Sequence, residues 1–277
     1  EHVNEKLLEK RRHYYDCDVP DRIVWLTAGV DVQKDRLEAE VVGWGPGGES
    51  WGIEYVVIPG DFRYDSTKNA LDEWLQRTYM RDDGVILPIS CVGIDSGYNQ
   101  DDVLSFCRTR MRRGVFAVRG EGGYGKPIVG KVRRQGRNKD FVFPVGTDSA
   151  KDLLFSNLSV DVEGPGYCHY PVEAIFDDGR VRGYDEAYFK GLLSERREKR
   201  RVGGQIIATW VKSSVSARNE PLDTRVYAIA ALKIMPPDLD KMVMQRKGES
   251  GSSHRSSTDR QTLHKKRGWR VIGKSSR

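Results

Sequence analysis

Two apolar segments of this chain end in the same short signature, Gly-x-Asp. They are Ile23-Val24-Trp25-Leu26-Thr27-Ala28-Gly29-Val30-Asp31 and Val92-Gly93-Ile94-Asp95. Continuous apolar runs of this length read as strands covered on both faces. An aspartate at the end of such a strand is costly, because an ionised carboxylate resists burial unless it is paired. A cation is the usual compensation, and oxygen ligands of this kind suit Mg²⁺ or Mn²⁺. Two such ions about 4 Å apart activate a water and stabilise the leaving oxygen of a phosphodiester. Aspartate is also a common turn residue after strands, and for Asp95-Ser96-Gly97 alone that account serves equally well. The repetition of the signature favours a metal site at Asp31 and Asp95.

The segments around these two strands define a mixed α/β pattern. Leu37 to Trp44 alternates apolar and polar residues, Gly45-Pro46-Gly47-Gly48 makes a turn, and Ser50 to Ile58 resumes as a strand. Three antiparallel strands therefore open the domain. Helical spacing follows over 66–80, with Ala70, Leu71, Trp74, Leu75 and Thr78 on one side. Then come a strand over 86–94, a helix over 100–112, and a strand at Val115–Val118 that the β-α-β order makes parallel to its predecessor. Beyond it, 141–145 reads as a strand and 147–158 as a helix capped by Thr147 or Asp148. A turn-rich stretch covers 160–184, 185–201 reads as a helix, 205–211 as a strand, and 219–235 as a last helix. The expected fold class is a mixed α/β layer structure, three antiparallel strands first and parallel α/β units after.

The charge has to be located before it means anything. Of a net +6, residues 241–277 hold 11 Lys/Arg against Glu249 and Asp259, a surplus of +9, so the rest of the chain carries −3. The tail reads as disordered in isolation from about 245 onward. No apolar run approaches the roughly 20 residues of a membrane span. The four cysteines, Cys17, Cys91, Cys107 and Cys168, are too far apart for a zinc or disulfide framework and suit a reducing compartment. The start, Glu1-His2-Val3-Asn4-Glu5, has neither an initiator Met nor a signal-like stretch, and the chain reads as a piece of a longer protein. Residues 1–20 read as a short charged helix or linker, 21–237 as the domain and 238–277 as a basic tail.

Within the body, one segment is strongly basic. Residues 108–139 contain 11 Lys/Arg and a single acid, Glu121. A solvated helix face plus a mobile loop would account for this, but charge on such a scale favours a surface that tracks phosphates. The candidates are Arg112, Arg113, Lys126, Lys131, Arg133, Arg134, Arg137 and Lys139, with Arg133, Arg134 and Arg137 foremost. The segment 195–201 (ERREKRR) is a weaker patch, read as an exposed helix end. Gly120 to Lys126 satisfies G-x-x-x-x-G-K, yet Pro127 stands where a phosphate loop needs Ser or Thr, so ATP is not expected there. Asp35, Glu38 and Glu40 are placed on a solvated hairpin, and Asp148 is assigned to the helix cap. A third acid, Asp223, lies in the first turn of the last helix, where the helix dipole alone would favour it.

Several segments taken in order resemble the large terminase subunits of lambda-like tailed phages. These are Leu26-Thr27-Ala28-Gly29-Val30-Asp31-Val32-Gln33, Gly43-Trp44-Gly45, Gly93-Ile94-Asp95-Ser96-Gly97-Tyr98, Gly146-Thr147-Asp148-Ser149-Ala150-Lys151-Asp152 and Arg218-Asn219-Glu220-Pro221-Leu222-Asp223. The resemblance covers about 20–235. It implies the C-terminal nuclease half of that protein, an RNase H-like fold that cleaves concatemeric DNA during packaging by two-metal-ion hydrolysis. It puts the metal-binding, catalytic carboxylates at Asp31, Asp95 and Asp223, although Thr224 departs from the family's preference for a small or apolar residue after the last acid. It also implies a missing N-terminal ATPase domain and an infected bacterial cytoplasm. The implied partners are double-stranded DNA, the small terminase subunit and the capsid portal. The portal would be met by the tail through Lys265, Lys266, Arg267, Trp269 and Arg270. The alternative is a non-catalytic DNA- or portal-binding module whose acids are structural.

Overall fold

The computed structural model describes residues 3, 4, 8, 9 and 11–246. The tail residues Lys265, Lys266, Arg267, Trp269 and Arg270 lie outside the described residues. Among the described residues no helix is long and apolar enough to cross a membrane.

A nine-stranded sheet carries the molecule. Its strands in chain order are β1 (Arg12–His13), β2 (Trp25–Val32), β3 (Arg36–Trp44), β4 (Ser50–Pro59), β7 (Cys91–Asp95), β8 (Val115–Glu121), β9 (Arg133–Gln135), β10 (Asp140–Gly146) and β11 (Cys168–Pro171); β5 (Thr78–Met80) and β6 (Ile86–Pro88) form a separate hairpin. The spatial order is β1-β11-β4-β3-β2-β7-β8-β10-β9. Strands β2, β3 and β4 are antiparallel neighbours, whereas β7, β8 and β10 run parallel to β2. This is the mixed sheet expected from the sequence, with three antiparallel strands first and parallel strands after.

Helices cover both faces, and the pleat of β2 shows which residue meets which. Leu26, Ala28, Val30 and Val32 enter the core beneath α1 (Asp65–Leu75) and α2 (Gln100–Arg110). The alternate residues Thr27, Gly29 and Asp31 point the other way, toward α5 (Glu220–Ile234), and the Thr27 hydroxyl donates to the Ala228 carbonyl at 2.8 Å. Helices α3 (Thr147–Leu158) and α4 (Glu186–Leu192) complete that second layer, whose core includes Leu154, Leu158, Tyr188, Leu222 and Val226.

Several elements differ from expectation. Arg12–His13 pairs with β11, and Leu8, Tyr15 and Val19 are buried, so this stretch packs into the domain where a helix or linker was expected. The helix expected to reach 80 stops at Leu75, and Thr78–Met80 turns into a hairpin with Ile86–Pro88. The strand expected over 86–94 is broken after Pro88, which has no N–H to continue a ladder. The expected helix over 185–201 ends at Leu192; Glu195–Val202 is strand β12, paired with β13 (Gln205–Lys212) about the positive-φ pair Gly203-Gly204. Finally, 239–246 is helical, with Leu239 packed on the core and Arg246 paired with Asp83, so the chain is ordered past the expected tail boundary.

Candidate active site

Asp31 and Asp95 stand at the carboxyl ends of the adjacent parallel strands β2 and β7. Each lies two residues beyond a glycine, hence on the same face as that glycine. Gly29 and Gly93 are register partners, and α5 crosses directly over them. A Cβ on Gly29 would collide with the Thr224 carbonyl oxygen and lie 2.6 Å from the Ala228 nitrogen; one on Gly93 would be 3.1 Å from the Tyr227 carbonyl oxygen. The missing side chains let the helix backbone down onto the sheet. That descent brings Asp223, in the first turn of α5, to the two strand-end aspartates.

Asp31 is 4% exposed, while Asp95 and Asp223 are half-buried. Burial is the main cause pushing the Asp31 carboxyl up to about 8, and Asp223 and Asp95 add to it by repulsion. Burial likewise pushes Asp223 up to about 7, with Lys151 opposing and Glu195 and Asp95 adding to the rise. Asp95 is raised by burial against hydrogen bonds from the Gly97 backbone and Tyr227. Each carboxylate has one neutral side-chain donor. Gln33 Nε2 donates to Asp31 at 2.6 Å, Tyr227 to Asp95, and Asn219 Nδ2 to Asp223 at 2.9 Å.

The other acids near this face are treated differently. Glu38 and Glu40 are buried, at 1% and 0% exposure, which corrects the expectation that they are solvated. They face the same way as Asp31 and Gly29, their register partners. Glu38 binds Arg36, Arg218 and the Tyr55 hydroxyl, and Glu220 binds Arg36. Glu40 meets the buried Arg225 guanidinium and the hydroxyls of Tyr184 and Tyr188. Glu195 accepts from Lys151 at 2.7 Å. Asp35, by contrast, has a 76% exposed side chain. Among the described residues, Asp31, Asp95 and Asp223 make no ion pair, although they sit among acids that do.

Asp148 does not cap its helix: Gly146 occupies that position and no side chain bonds there. The Asp148 side chain is instead buried, and its Oδ2 has no hydrogen-bond partner.

Among the described residues no group of three or more His, Cys, Asp or Glu side chains lies, as placed, close enough together to hold a metal ion. The donor set nevertheless fits a hard divalent cation. It offers carboxylate oxygens and carries a burial cost that positive charge would relieve. It makes no ion pair with Lys or Arg among the described residues, although Arg119 acts on Asp95 and Lys151 and Lys212 act on Asp223 from farther off.

Part of the basic segment lies beside this edge: Lys126 and Lys131 follow β8, which ends on the same side of the sheet as β2 and β7. Arg112 and Arg113 precede β8, and Arg137 and Lys139 lie in the turn before β10, at the opposite ends of those strands. Of the eight candidate phosphate contacts, Lys126 and Arg133 bind Glu121, and Arg113 binds Asp72 at 2.8 Å. Arg134 lies over the Phe141 ring at 4.0 Å and donates to the Lys139 carbonyl. Arg112, Lys131, Arg137 and Lys139 are exposed and have no carboxylate partner among the described residues. Lys126, Lys131 and Arg133 also line a cleft of about 260 Å³ with Glu121 and Pro144.

Tyr227, Gln33, Asn219, Lys151 and Glu195 were not singled out as site residues in the sequence. Tyr227 is signalled by its spacing, four residues after Asp223 and so on the same face of α5. Gln33 is signalled in the same way, two residues after Asp31. Nothing local marks Glu195, because its segment reads as a helix.

Comparison with known proteins identifies the family. The chain matches the family described as terminase large subunit gpA, endonuclease domain, over residues 1–246. It is 33% identical over 270 residues to the terminase large subunit of Escherichia phage lambda, which spans 93% of this chain and 40% of that protein. It is 31% identical over 242 residues to the terminase large subunit of Enterobacteria phage P21, or 84% of this chain and 36% of that protein. The chain thus spans about two-fifths of the length of these relatives. A solved mutant nuclease domain of the large terminase subunit gp2 of bacterial virus Sf6, with manganese, is similar at TM-score 0.47 and 8% identity, over 82% of this chain and 97% of that one. By the match that runs from its first residue to the end of its described part, the chain belongs to the terminase large subunit gpA endonuclease-domain family.

Proposed function

We propose that this domain cleaves double-stranded DNA by divalent-metal-dependent phosphodiester hydrolysis, with Asp31, Asp95 and Asp223 as the metal-binding carboxylates. One observation carries the reading. Glu38, Glu40, Glu195 and Glu220 each have an Arg or Lys ion-pair partner, while Asp31, Asp95 and Asp223 make no ion pair among the described residues and accept side-chain hydrogen bonds from neutral donors. Such an arrangement is expensive without a cation and inexpensive with one.

A pair of Mg²⁺ or Mn²⁺ ions there supplies an activated water and charge stabilisation for the leaving oxygen. The protein's own groups set up that chemistry. Gln33, Tyr227 and Asn219 each occupy one lone pair and fix the rotation of a carboxylate, leaving its remaining oxygen positions toward the common space. The sheet and α5 exclude water from behind. Lys131 holds the DNA backbone beside the strand-end edge, and Lys126 and Arg133 can exchange Glu121 for phosphate. Arg112, Arg137 and Lys139, at the starts of β8 and β10, meet phosphates farther along the duplex. In its full-length setting the domain would cut concatemeric phage DNA for packaging in the infected cell, beside an ATPase domain, the small terminase subunit and the capsid portal.

The test is nicking of supercoiled plasmid by the purified chain with Mn²⁺ or Mg²⁺, against EDTA. Activity that is lost in Asp31→Asn, Asp95→Asn and Asp223→Asn with folding intact supports the reading. DNA retention indifferent to metal and to Asp31, with no cleavage at high protein concentration, would replace it with the non-catalytic DNA- or portal-binding module.

A further inference from the structure

The carboxylate of Asp223 is tied to a second, buried polar group by a single residue. Asn219 Nδ2 donates to Asp223 Oδ2 at 2.9 Å and to Glu195 Oε1 at 3.0 Å. The other oxygen of Glu195 accepts from Lys151 Nζ at 2.7 Å, and both of those side chains are under one-tenth exposed. The sequence Lys151–Glu195–Asn219–Asp223 therefore joins α3, the root of the β12–β13 hairpin and the start of α5.

Asn219 is diverted from its ordinary role to make this link. It is the N-cap residue of α5, and asparagine is among the best side chains for bonding the free N–H groups of a helix start. Its side chain makes no cap hydrogen bond here. An amide nitrogen has two hydrogens, and both go to carboxylates. The orientation is unambiguous, because turning the amide over would put its carbonyl oxygen against two anionic groups. Lys151 balances Glu195, so Glu195 can hold Asn219 without adding uncompensated negative charge next to Asp223.

We propose that Asn219 is a positioning residue for Asp223. It fixes the rotation of the carboxylate, and it is itself held by the Lys151–Glu195 pair. This rests on the reading of Asp223 as a metal ligand. Groups that orient a ligand from behind are worth about 10–100-fold in metal affinity or activity.

The test is Mn²⁺ binding to the whole chain by calorimetry, with plasmid nicking recorded against Mn²⁺ concentration. Asn219→Asp keeps the shape and removes the donors; Asn219→Ser restores an efficient helix cap but reaches neither carboxylate. Both are expected to weaken Mn²⁺ binding about 10–100-fold and to raise the Mn²⁺ concentration needed for half-maximal nicking by a similar factor. Thermal melting identifies a variant that fails to fold, and the other then carries the test. If Asn219→Ser binds Mn²⁺ like the parent chain, the residue is a cap and the inference is overturned. Asp223→Ala separates the two ideas. If it leaves Mn²⁺ binding unchanged, the metal-ligand reading fails. If it abolishes binding while both Asn219 variants bind normally, only the positioning role fails.

Discussion

Gly29 and Gly93 are direct register partners across β2 and β7, and both turn their bare backbone toward α5. The two strand-end aspartates and the helix-borne one meet because nothing stands between sheet and helix at this pair. A Cβ at residue 29 has no room, since it would meet backbone rather than a movable side chain. Gly29→Ala is expected to destabilise the domain by roughly 3 kcal/mol or more and to abolish metal binding. Gly93→Ala meets its neighbour at 3.1 Å and is expected to cost less. Chemical denaturation of both variants, with Mn²⁺ binding measured on whatever stays folded, checks the ranking.

The acids also predict how the metal-free protein responds to pH. Asp31 and Asp223, raised to about 8 and about 7 from 3.8, keep protons in the folded state that the unfolded chain has already released. The stability this gives is fully present below about pH 4 and is lost as pH rises through about 7 to 8. Asp31→Asn removes the largest part of that loss. In EDTA at pH 8.5 it is expected to melt about 2–4 °C above the parent chain for each kcal/mol recovered, with little difference at pH 4. Scanning calorimetry at the two pH values decides the matter.

Divalent metal is expected to reverse that trend. Binding requires the carboxylates to give up their protons, so Mn²⁺ affinity is expected to rise steeply between pH 6 and 8.5, by up to about tenfold per pH unit for each proton released. Titration in two buffers of different ionisation enthalpy counts the protons. A pH-independent affinity with no proton release would contradict the coupling.

The buried Glu40–Arg225 pair pins α5 to β3 beneath the site. Arg225→Met leaves Glu40 without its cation at 0% exposure, and is expected to cost about 3–5 kcal/mol. Pairing it with Glu40→Gln is expected to recover part of that loss. A double-mutant cycle by urea denaturation measures the recovery.

The exposed cations of the basic segment that have no carboxylate partner among the described residues are expected to outweigh the paired ones in DNA binding. Replacing Lys131, Arg137 and Lys139 together by Ala is expected to weaken binding uniformly across sequences. The slope of log K against log salt is expected to fall by about 0.9 for each phosphate that is no longer neutralised. Arg113→Ala, which removes a partner of Asp72, is expected to change that slope little. Fluorescence anisotropy on a short duplex over a salt series compares the two.

Much of this architecture is written in local pattern. The apolar runs ending in Asp31 and Asp95, the alternation of β3, the β-α-β order and the apolar last helix each have a periodicity that survives burial on one or two faces. What escaped was set by distant partners. Glu195–Val202 is rich in good helix formers, and only its pairing with Gln205–Lys212 makes it a strand; the two-residue Gly203-Gly204 turn was the available sign. Glu38 and Glu40 look like the polar side of an exposed hairpin until Arg36, Arg218 and Arg225 arrive to cover them. Asp148 follows the rule for a cap, yet its oxygen is buried without a partner. The neutral donors Gln33, Tyr227 and Asn219 gain meaning only once three separate segments have been brought together.

The β12–β13 hairpin has no core of its own. It rests on α3 through Trp210, which packs against Phe155 and bonds Asp152, while Gly203 and Gly204 stand exposed at its tip. Such a tip is where a protease enters first, and the opposite end of the same ribbon holds Glu195. The rate of limited digestion at that glycine pair thus becomes a gauge, readable on a gel, of how firmly the ribbon is seated at its root.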